Sequence, residues 1–351
     1  MKKRLGAAVL AASLALGALP ASAYTELFAF GDSLSDAGNH FQATGSPPPP
    51  YFMGHSSNGL TWVEDLSQQL GLGPLTPSLL GGNDFAFAGA QSGKTDANPN
   101  FLPGTTTPNP TRMFDLDAQV AAYQSVHPNP VPGALYALDI GANDIFGALT
   151  AFPTNPTEIA TVVSQAVANT ITAVMDLYND GACDLLFYEV PDLGLTPLFF
   201  GTTAQGTATG IALEFDQAVL AGLGALNAPG LKVFDLQTFA LLDGIVGDPS
   251  AFGFNPATIH DACFDATTDT LCSTLPAVQD TYLFWDAVHP TEAGHLVTAY
   301  FAQLSLTAVP EASTWAMLLV GFVGLVLTGY PARSAPGLSR PRRSSQLAAS
   351  P

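Results

Sequence analysis

Five short apolar runs punctuate this chain, and what stops them constrains the fold more than any other feature. Leu27 to Phe30 halts at Gly31-Asp32-Ser33, Phe85 to Ala88 at Gly89-Ala90, and Ala134 to Ile140 at Gly141-Ala142-Asn143-Asp144. Leu185 to Val190 is broken by Pro191, and Leu231 to Leu236 is the fifth. Apolar runs of this length, ended by glycine or small polar residues, read as interior strands reaching the rim of a sheet. Between them lie stretches with helical spacing: Thr61 to Leu70, Leu116 to Tyr123, Pro156 to Tyr178, Ala212 to Leu226 and Thr291 to Leu304. Irregular chain is expected from Leu236 to Tyr282. Strand and helix alternating in this way predict a single-domain, flavodoxin-like three-layer α/β sandwich around a five-stranded parallel sheet.

The loops after Phe30, Ala88 and Ile140 would open on one edge, where such sheets bind ligands. Ser33 would stand at the carboxyl end of the first strand, after a glycine that permits a tight turn. Taken alone, Gly-Asp-Ser is an ordinary polar turn. Near the other end, Asp286-Ala287-Val288-His289 places a carboxylate three residues from an imidazole, so that Asp286 could hold Nδ1-H and leave Nε2 free for a serine proton. Taken alone, that pair is the cap of a helix starting near Thr291.

Together, Gly31-Asp32-Ser33-Leu34, Asn83 to Ala90, Gly141-Ala142-Asn143-Asp144 and Asp286-Ala287-Val288-His289 resemble, in order and spacing, the four blocks of the GDSL or SGNH hydrolases. His55-Ser56-Ser57-Asn58-Gly59 and Pro191-Asp192-Leu193-Gly194 extend the likeness across Tyr24 to Leu306; Ala88 departs from it, where many members have a second glycine. The resemblance implies a carboxylic ester hydrolase with Ser33 as nucleophile, His289 as base and Asp286 as its orienting carboxylate. The N-H groups of Ser33 and Gly89 and the Asn143 amide would form the oxyanion hole, and no cofactor or metal is implied. A serine hydroxyl needs a base to accept its proton, and charge developing on a carbonyl oxygen needs donors already aimed at it. The nucleophile is not in a Gly-x-Ser-x-Gly elbow, which disfavours the alpha/beta-hydrolase fold. Among related chemistries stand lysophospholipases, acyltransferases and deacylases of exopolysaccharide, so the expected substrate is a lipid, a small ester or an acylated polysaccharide. A rival of another class is a non-catalytic matrix-binding module on a hydrolase scaffold.

Residues 1–23 read as a secretory signal, with Lys2, Lys3 and Arg4 before an apolar stretch and Ala21-Ser22-Ala23 as cleavage site. Residues 309–351 carry Val309-Pro310-Glu311, the apolar run Trp315 to Tyr330 and then scattered arginines. This ending resembles a PEP-CTERM sorting signal, although Pro-Glu-Ala replaces Pro-Glu-Pro. It implies export across the inner membrane of a Gram-negative bacterium, a transient membrane anchor and an exosortase-type processing partner. The body, residues 24–308, then keeps Lys94, Arg112 and Lys232 against 28 acids, a formal charge of −25. Such a field repels nucleic acid and anionic surfaces.

Cys263 and Cys272 are the disulfide candidates of an exported chain. Cys183 reads as a buried core thiol and His295 as a partly exposed helix residue. His55 is placed in a loop bordering the site. Tyr51, Phe52, Phe146, Phe252 and Phe254 are candidate rim aromatics, and Arg112 is almost the only candidate for a bidentate phosphate contact.

Overall fold

The structure, a computed structural model, describes residues 24–101 and 105–307. The expected leader and sorting tail lie outside the described residues. Four strands form a parallel sheet in chain order: β1 (Glu26–Phe30), β2 (Ala134–Asp139), β3 (Asp184–Tyr188) and β4 (Lys232–Leu236). The register sets Phe28 beside Tyr136, Tyr136 beside Leu185, and Leu185 beside Val233.

The principal helices are α1 (Asn39–Thr44), α2 (Trp62–Gln69), α3 (Leu116–Val126), α4 (Ala142–Ala151), α5 (Pro156–Asn179), α6 (Gln205–Gly224), α7 (Thr238–Gly247) and α8 (Glu292–Thr307). Alternation along each strand sends Phe28, Phe30, Tyr136, Leu138, Leu185 and Phe187 to one face of the sheet, under α3 to α6. Leu27, Ala29, Leu135, Ala137, Leu186 and Tyr188 go to the other, under α2 and α8. Local chemistry starts the helices where the layers need them. Asn155 accepts the Glu158 N–H ahead of Pro156 at the head of α5, and Thr61 with Glu64 forms a capping box on α2.

The second expected strand, Phe85 to Ala88, is present only as an irregular edge. Residues 83–87 run beside β1 through Phe85 N–H to Ala29 O (2.7 Å) and Phe87 N–H to Gly31 O (3.0 Å). Asp84 is the reason the segment is not regular: its buried carboxylate accepts the N–H groups of Ala86 (3.0 Å) and Ala37 (2.6 Å), which bends the backbone it belongs to. The outer side is covered, because Asn39 Nδ2 donates to Asp84 O and Ala86 O. An edge so occupied offers no template for another strand. Counting this segment, the spatial order is 2-1-3-4-5, and the loops after Phe30 and Asp139 flank its switch point.

Several expectations change. The stretch from Leu236 to Tyr282 includes α7, whose nearly all-apolar sequence hides a helical stripe, and α4 begins directly at Gly141 where small residues read as a loop. Cys183 is exposed, because it precedes β3 outside the sheet. His295 is buried on α8 and accepts the Trp62 N–H at Nδ1, and burial holds its pKa down at about 3. Phe254 is buried in a satellite cluster with Leu242, Ile245 and Phe284 and is not on a rim. Cys263 and Cys272 form a disulfide, clipping a two-stranded hairpin (Phe264–Asp265, Thr270–Leu271).

Burial also leaves a mark on stability. Asp216 on α6 accepts the Val190 N–H (2.8 Å), while burial, with Glu189 and Asp235 nearby, pushes it up to about 9. Asp144 and Glu189 are each pushed up to about 7, chiefly by burial. Acids whose folded values lie above their unfolded ones supply stability that is complete below about pH 4 and lost as pH rises through those folded values. His295 works the opposite way, but only below its ordinary value. The melting temperature is therefore expected to fall from pH 6 to pH 9, each pH unit removing up to about 1.4 kcal/mol through Asp216. Asp216→Asn keeps an acceptor for Val190 and should flatten the fall. Calorimetry across that range checks both, and a melting temperature that climbs from pH 6 to 9 contradicts them.

Candidate active site

The β1–β2 ladder ends at Phe30, and the chain has to leave the sheet against the end of β2. Gly31 allows this: its φ is +152°, and a Cβ there would collide with the Asp139 carboxyl. Beside the Phe87 N–H that Gly31 O accepts, Gln119 of α3 clamps the residue, donating from Nε2 to Gly31 O and accepting the Gly31 N–H at Oε1, both at 2.8 Å. A tight turn follows in which the N–H groups of Ser35 and Asp36 donate to Asp32 O. Ser33 stands on that turn, half-buried.

From the other end of the chain, His289 reaches the same point. Ser33 Oγ lies 2.8 Å from His289 Nε2, and His289 Nδ1 lies 2.9 and 2.8 Å from the two oxygens of Asp286. Burial works to raise the Asp286 carboxyl, but His289 and the Val288 and His289 N–H groups outweigh it and hold the group at about 2. An ionised carboxylate only accepts, so the ring proton is on Nδ1 and Nε2 carries the lone pair that faces the hydroxyl. Burial pulls the His289 pKa down, but Asp286 and Asp32 outweigh it and leave it above its ordinary value.

Tyr51 adds a donor that sequence reading assigned to a rim. Its hydroxyl gives Asp286 Oδ2 a 2.8 Å hydrogen bond, and its ring packs edge-on against Phe264 and Trp285. Both rings belong to the disulfide hairpin and the strand-like stretch that precedes Asp286, which pair through Phe264 N–H to Trp285 O (2.6 Å). Ser57 Oγ donates to Pro290 O and Asn58 Oδ1 accepts the Glu292 N–H, so the 55–59 loop braces the backbone beyond His289. His55 itself is turned away and buried, 2.9 Å from Glu64.

Ser33, Gly89 and Asn143 line one cavity with His289. Gly89 has φ +84°, and Ala88 before it donates its N–H to Asp36 Oδ2 (2.8 Å). Among the described residues, no protein acceptor takes the N–H of Ser33 or Gly89. Asn143, in the first turn of α4, donates from Nδ2 to Asp32 Oδ2 (3.1 Å), which leaves its second amide proton for the cavity. Asp32 and Asp139 face each other under this floor, both fully buried. Burial is the main force raising both, and at Asp139 the Ser35 hydroxyl and the Asp32 N–H oppose it only in part. Two such carboxylates do not both ionise, so the pair holds a shared proton.

The cavity has a volume of about 570 Å³ and runs from Ser33 between α7 and α8. Its apolar lining includes Leu193, Leu198, Leu241, Leu242, Ile245, Leu283, Phe284 and Val288. Phe146 lines it as expected of a rim aromatic, whereas Phe252 and Phe254 do not. Arg112 is engaged by Asp115 (3.3 Å) and Asp117 (2.8 Å), away from the cavity. Among the described residues, no group of three or more His, Cys, Asp or Glu is placed to hold a metal ion.

Three curated proteins illustrate what the chain is similar to. An uncharacterized protein of the trpE-trpG intergenic region of Pseudomonas putida is 28% identical over 85% of this chain and 52% of its own length. The thermolabile hemolysin of Vibrio parahaemolyticus is 26% identical over 78% of this chain and 62% of its own length. The phosphatidylcholine-sterol acyltransferase of Aeromonas hydrophila is 25% identical over 78% of this chain and 87% of its own length. The chain thus spans about half to three fifths of the length of the first two. Residues 27–300, nearly all of the described fold, match the model of the GDSL-like Lipase/Acylhydrolase family, and the chain belongs to that family.

Proposed function

We propose that the protein is a serine ester hydrolase that cleaves carboxylic esters of apolar acyl groups through an acyl-Ser33 intermediate. The observation that carries this reading is the 2.8 Å approach of Ser33 Oγ to His289 Nε2 in the lining of a cavity walled largely by apolar side chains. Ser33 Oγ attacks the ester carbonyl as its proton passes to His289 Nε2. The oxyanion is met by the N–H groups of Ser33 and Gly89 and the Asn143 amide, and the imidazolium returns the proton to the departing alcohol. Water then repeats the sequence and releases the acid. Asp286 keeps the ring oriented and stabilises its positive charge.

The wall formed by Leu241, Leu242, Ile245 and Phe284 favours an acyl chain longer than acetyl, and so a lipid-type ester over an acetylated polysaccharide. The relative named phosphatidylcholine-sterol acyltransferase adds acyl transfer as the neighbouring chemistry, separable by offering an acceptor alcohol beside water. Export fits the Cys263–Cys272 disulfide, a bond of oxidising compartments. Sequencing the amino terminus of protein recovered outside the cytoplasm tests cleavage before Tyr24, and mass analysis of the same material tests removal of the tail by an exosortase-type enzyme.

Three outcomes are expected. Ser33→Ala and His289→Ala each lower kcat by roughly 10⁴ to 10⁶-fold and Asp286→Asn by less, with the fold retained; a fluorophosphonate labels the parent and not Ser33→Ala. A matrix-binding module would show neither effect. The base acts only when neutral and its pKa is raised, so kcat/KM rises with pH along a limb centred above 6.5, and activity is lost as pH falls through it. Asp286→Asn should shift that limb downward, whereas an unshifted limb would assign it to another group. Each added CH2 of a nitrophenyl ester should raise kcat/KM about fourfold, from about 0.8 kcal/mol per buried CH2, until the cavity is full. Ile245→Trp should shorten the preferred chain and spare the acetate ester; a preference that stays at acetate would instead favour a sugar deacylase.

A further inference from the structure

Beside the cavity mouth, one face of the molecule is apolar and carries no charge of its own. It is built from three segments that converge on α1: the helix itself, the turn Phe52–His55, and the 3-10 turn Ser78–Leu80. A Cβ on Gly54 would strike the Phe41 ring, one on Gly38 would lie 3.6 Å from Pro77 and 3.8 Å from Met53 O, and Leu79 donates its N–H to Asn39 Oδ1 (3.0 Å). The side chains left outside are Met53, 73% exposed, Leu80 (60%), Leu79 (52%), Phe52 (37%) and Phe41 (36%). Met53 reaches that position at φ +46°, a left-handed conformation that a long side chain adopts at a cost. The face meets the cavity through His40, Ser46, Pro47 and Tyr51 of the same stretch.

The charge pattern decides what covers it. Residues 37–63 and 66–83 contain no Asp, Glu, Lys or Arg, in a body of formal charge −25; of the two acids between them, both on α2, Glu64 is buried and Asp65 half-buried. A second copy would bring the same negative field with no cation here to offset it, and an anionic surface is repelled for the same reason. A surface that is apolar beneath and uncharged in sum meets neither objection. We propose that this face docks the enzyme on zwitterionic lipid, Met53 and Leu80 entering the headgroup boundary, so that an acyl chain passes from the lipid to the cavity without crossing water.

The inference goes beyond the ester-hydrolase reading, and its test separates the two. Full-length parent, M53D/L80D and the milder M53S/L80S are assayed on a soluble butyrate ester and on a long-chain ester presented in phosphatidylcholine vesicles. The aspartate variant should keep soluble activity within twofold and lose vesicle activity at least tenfold, with the serine variant between. Flotation of the Ser33→Ala protein, with and without the same changes, reads binding without turnover and holds the 309–351 tail constant. Equal flotation and an unchanged ratio of the two activities would overturn the proposal. So would a concentration-dependent dimer abolished by M53D/L80D at unchanged vesicle activity, which assigns the face to a second copy. Loss of soluble activity in M53S/L80S would place the face in folding or catalysis, again overturning it. Absence of any soluble activity in the parent would sink the ester reading alone.

Discussion

The missing side chain at residue 31 is the constraint on which the rest of this structure rests. Only without a Cβ does the end of β1 turn directly over Asp139, and that closeness sets Asp32 against Asp139. Two buried carboxyls facing each other are tolerable with one proton between them. That proton leaves Asp32 free to accept Leu34 N–H at Oδ1 and the Asn143 amide at Oδ2. The turn that carries Ser33 and the Asn143 amide on α4 are thereby tied to one buried acid. Gln119 holds the same peptide from the other side, so the turn is gripped on both flanks.

Carboxylates recur in this role because the body has almost no cations. Asp36 accepts the N–H groups of Gly38, Asn39, His40 and Ala88, which joins the α1 start to the Gly89 loop. Asp286 is the same device turned to chemistry, since Val288, His289 and Tyr51 satisfy it before the imidazole does. An N–H pointed at an ionised acceptor makes a strong, directional bond without a partner of opposite charge. Burial opposes the ionisation that these bonds favour, and it wins at Asp84, Asp139 and Asp216. Asp216, held at about 9, therefore keeps its proton at neutral pH while it accepts the Val190 N–H.

What the sequence disclosed follows the same division. Strands and long helices were legible because their periodicity is local, as in Ile159, Val163, Val167, Ile171 and Val174 of α5. Ser33, Asp286 and His289 were legible as motif positions, and the fold brings them within hydrogen-bond reach of one another. Gln119, Asp139 and the hydroxyl of Tyr51 were not, because each acts on a group 88, 107 or 235 residues away and no local pattern marks it. The second expected strand, Phe85 to Ala88, came out irregular for a related reason. Its pattern is strand-like, but Asp84, the residue just before it, spends its carboxylate on the neighbouring backbone. His295 was misplaced because its only signal, a helix position, does not reveal that the Trp62 N–H waits for an acceptor there.

The stretch from Pro47 to Asn58 shows how the rim and the chemistry are mechanically joined. Phe52 and Met53 stand outside, Tyr51 holds Asp286, and Ser57 holds Pro290 O, all within seven residues. A displacement of the Phe52–His55 turn has to pass through Tyr51 before it reaches the carboxylate. Tyr51 is stiff: Phe264 and Trp285 meet its ring at 88° and 79°, and the disulfide clips the hairpin that carries Phe264. Rigid support of this kind keeps two short hydrogen bonds to His289 in place while a surface loop is loaded from outside. The aromatic cluster and its disulfide are thus best understood as an anchor between a loop that meets the environment and a carboxylate that must not move.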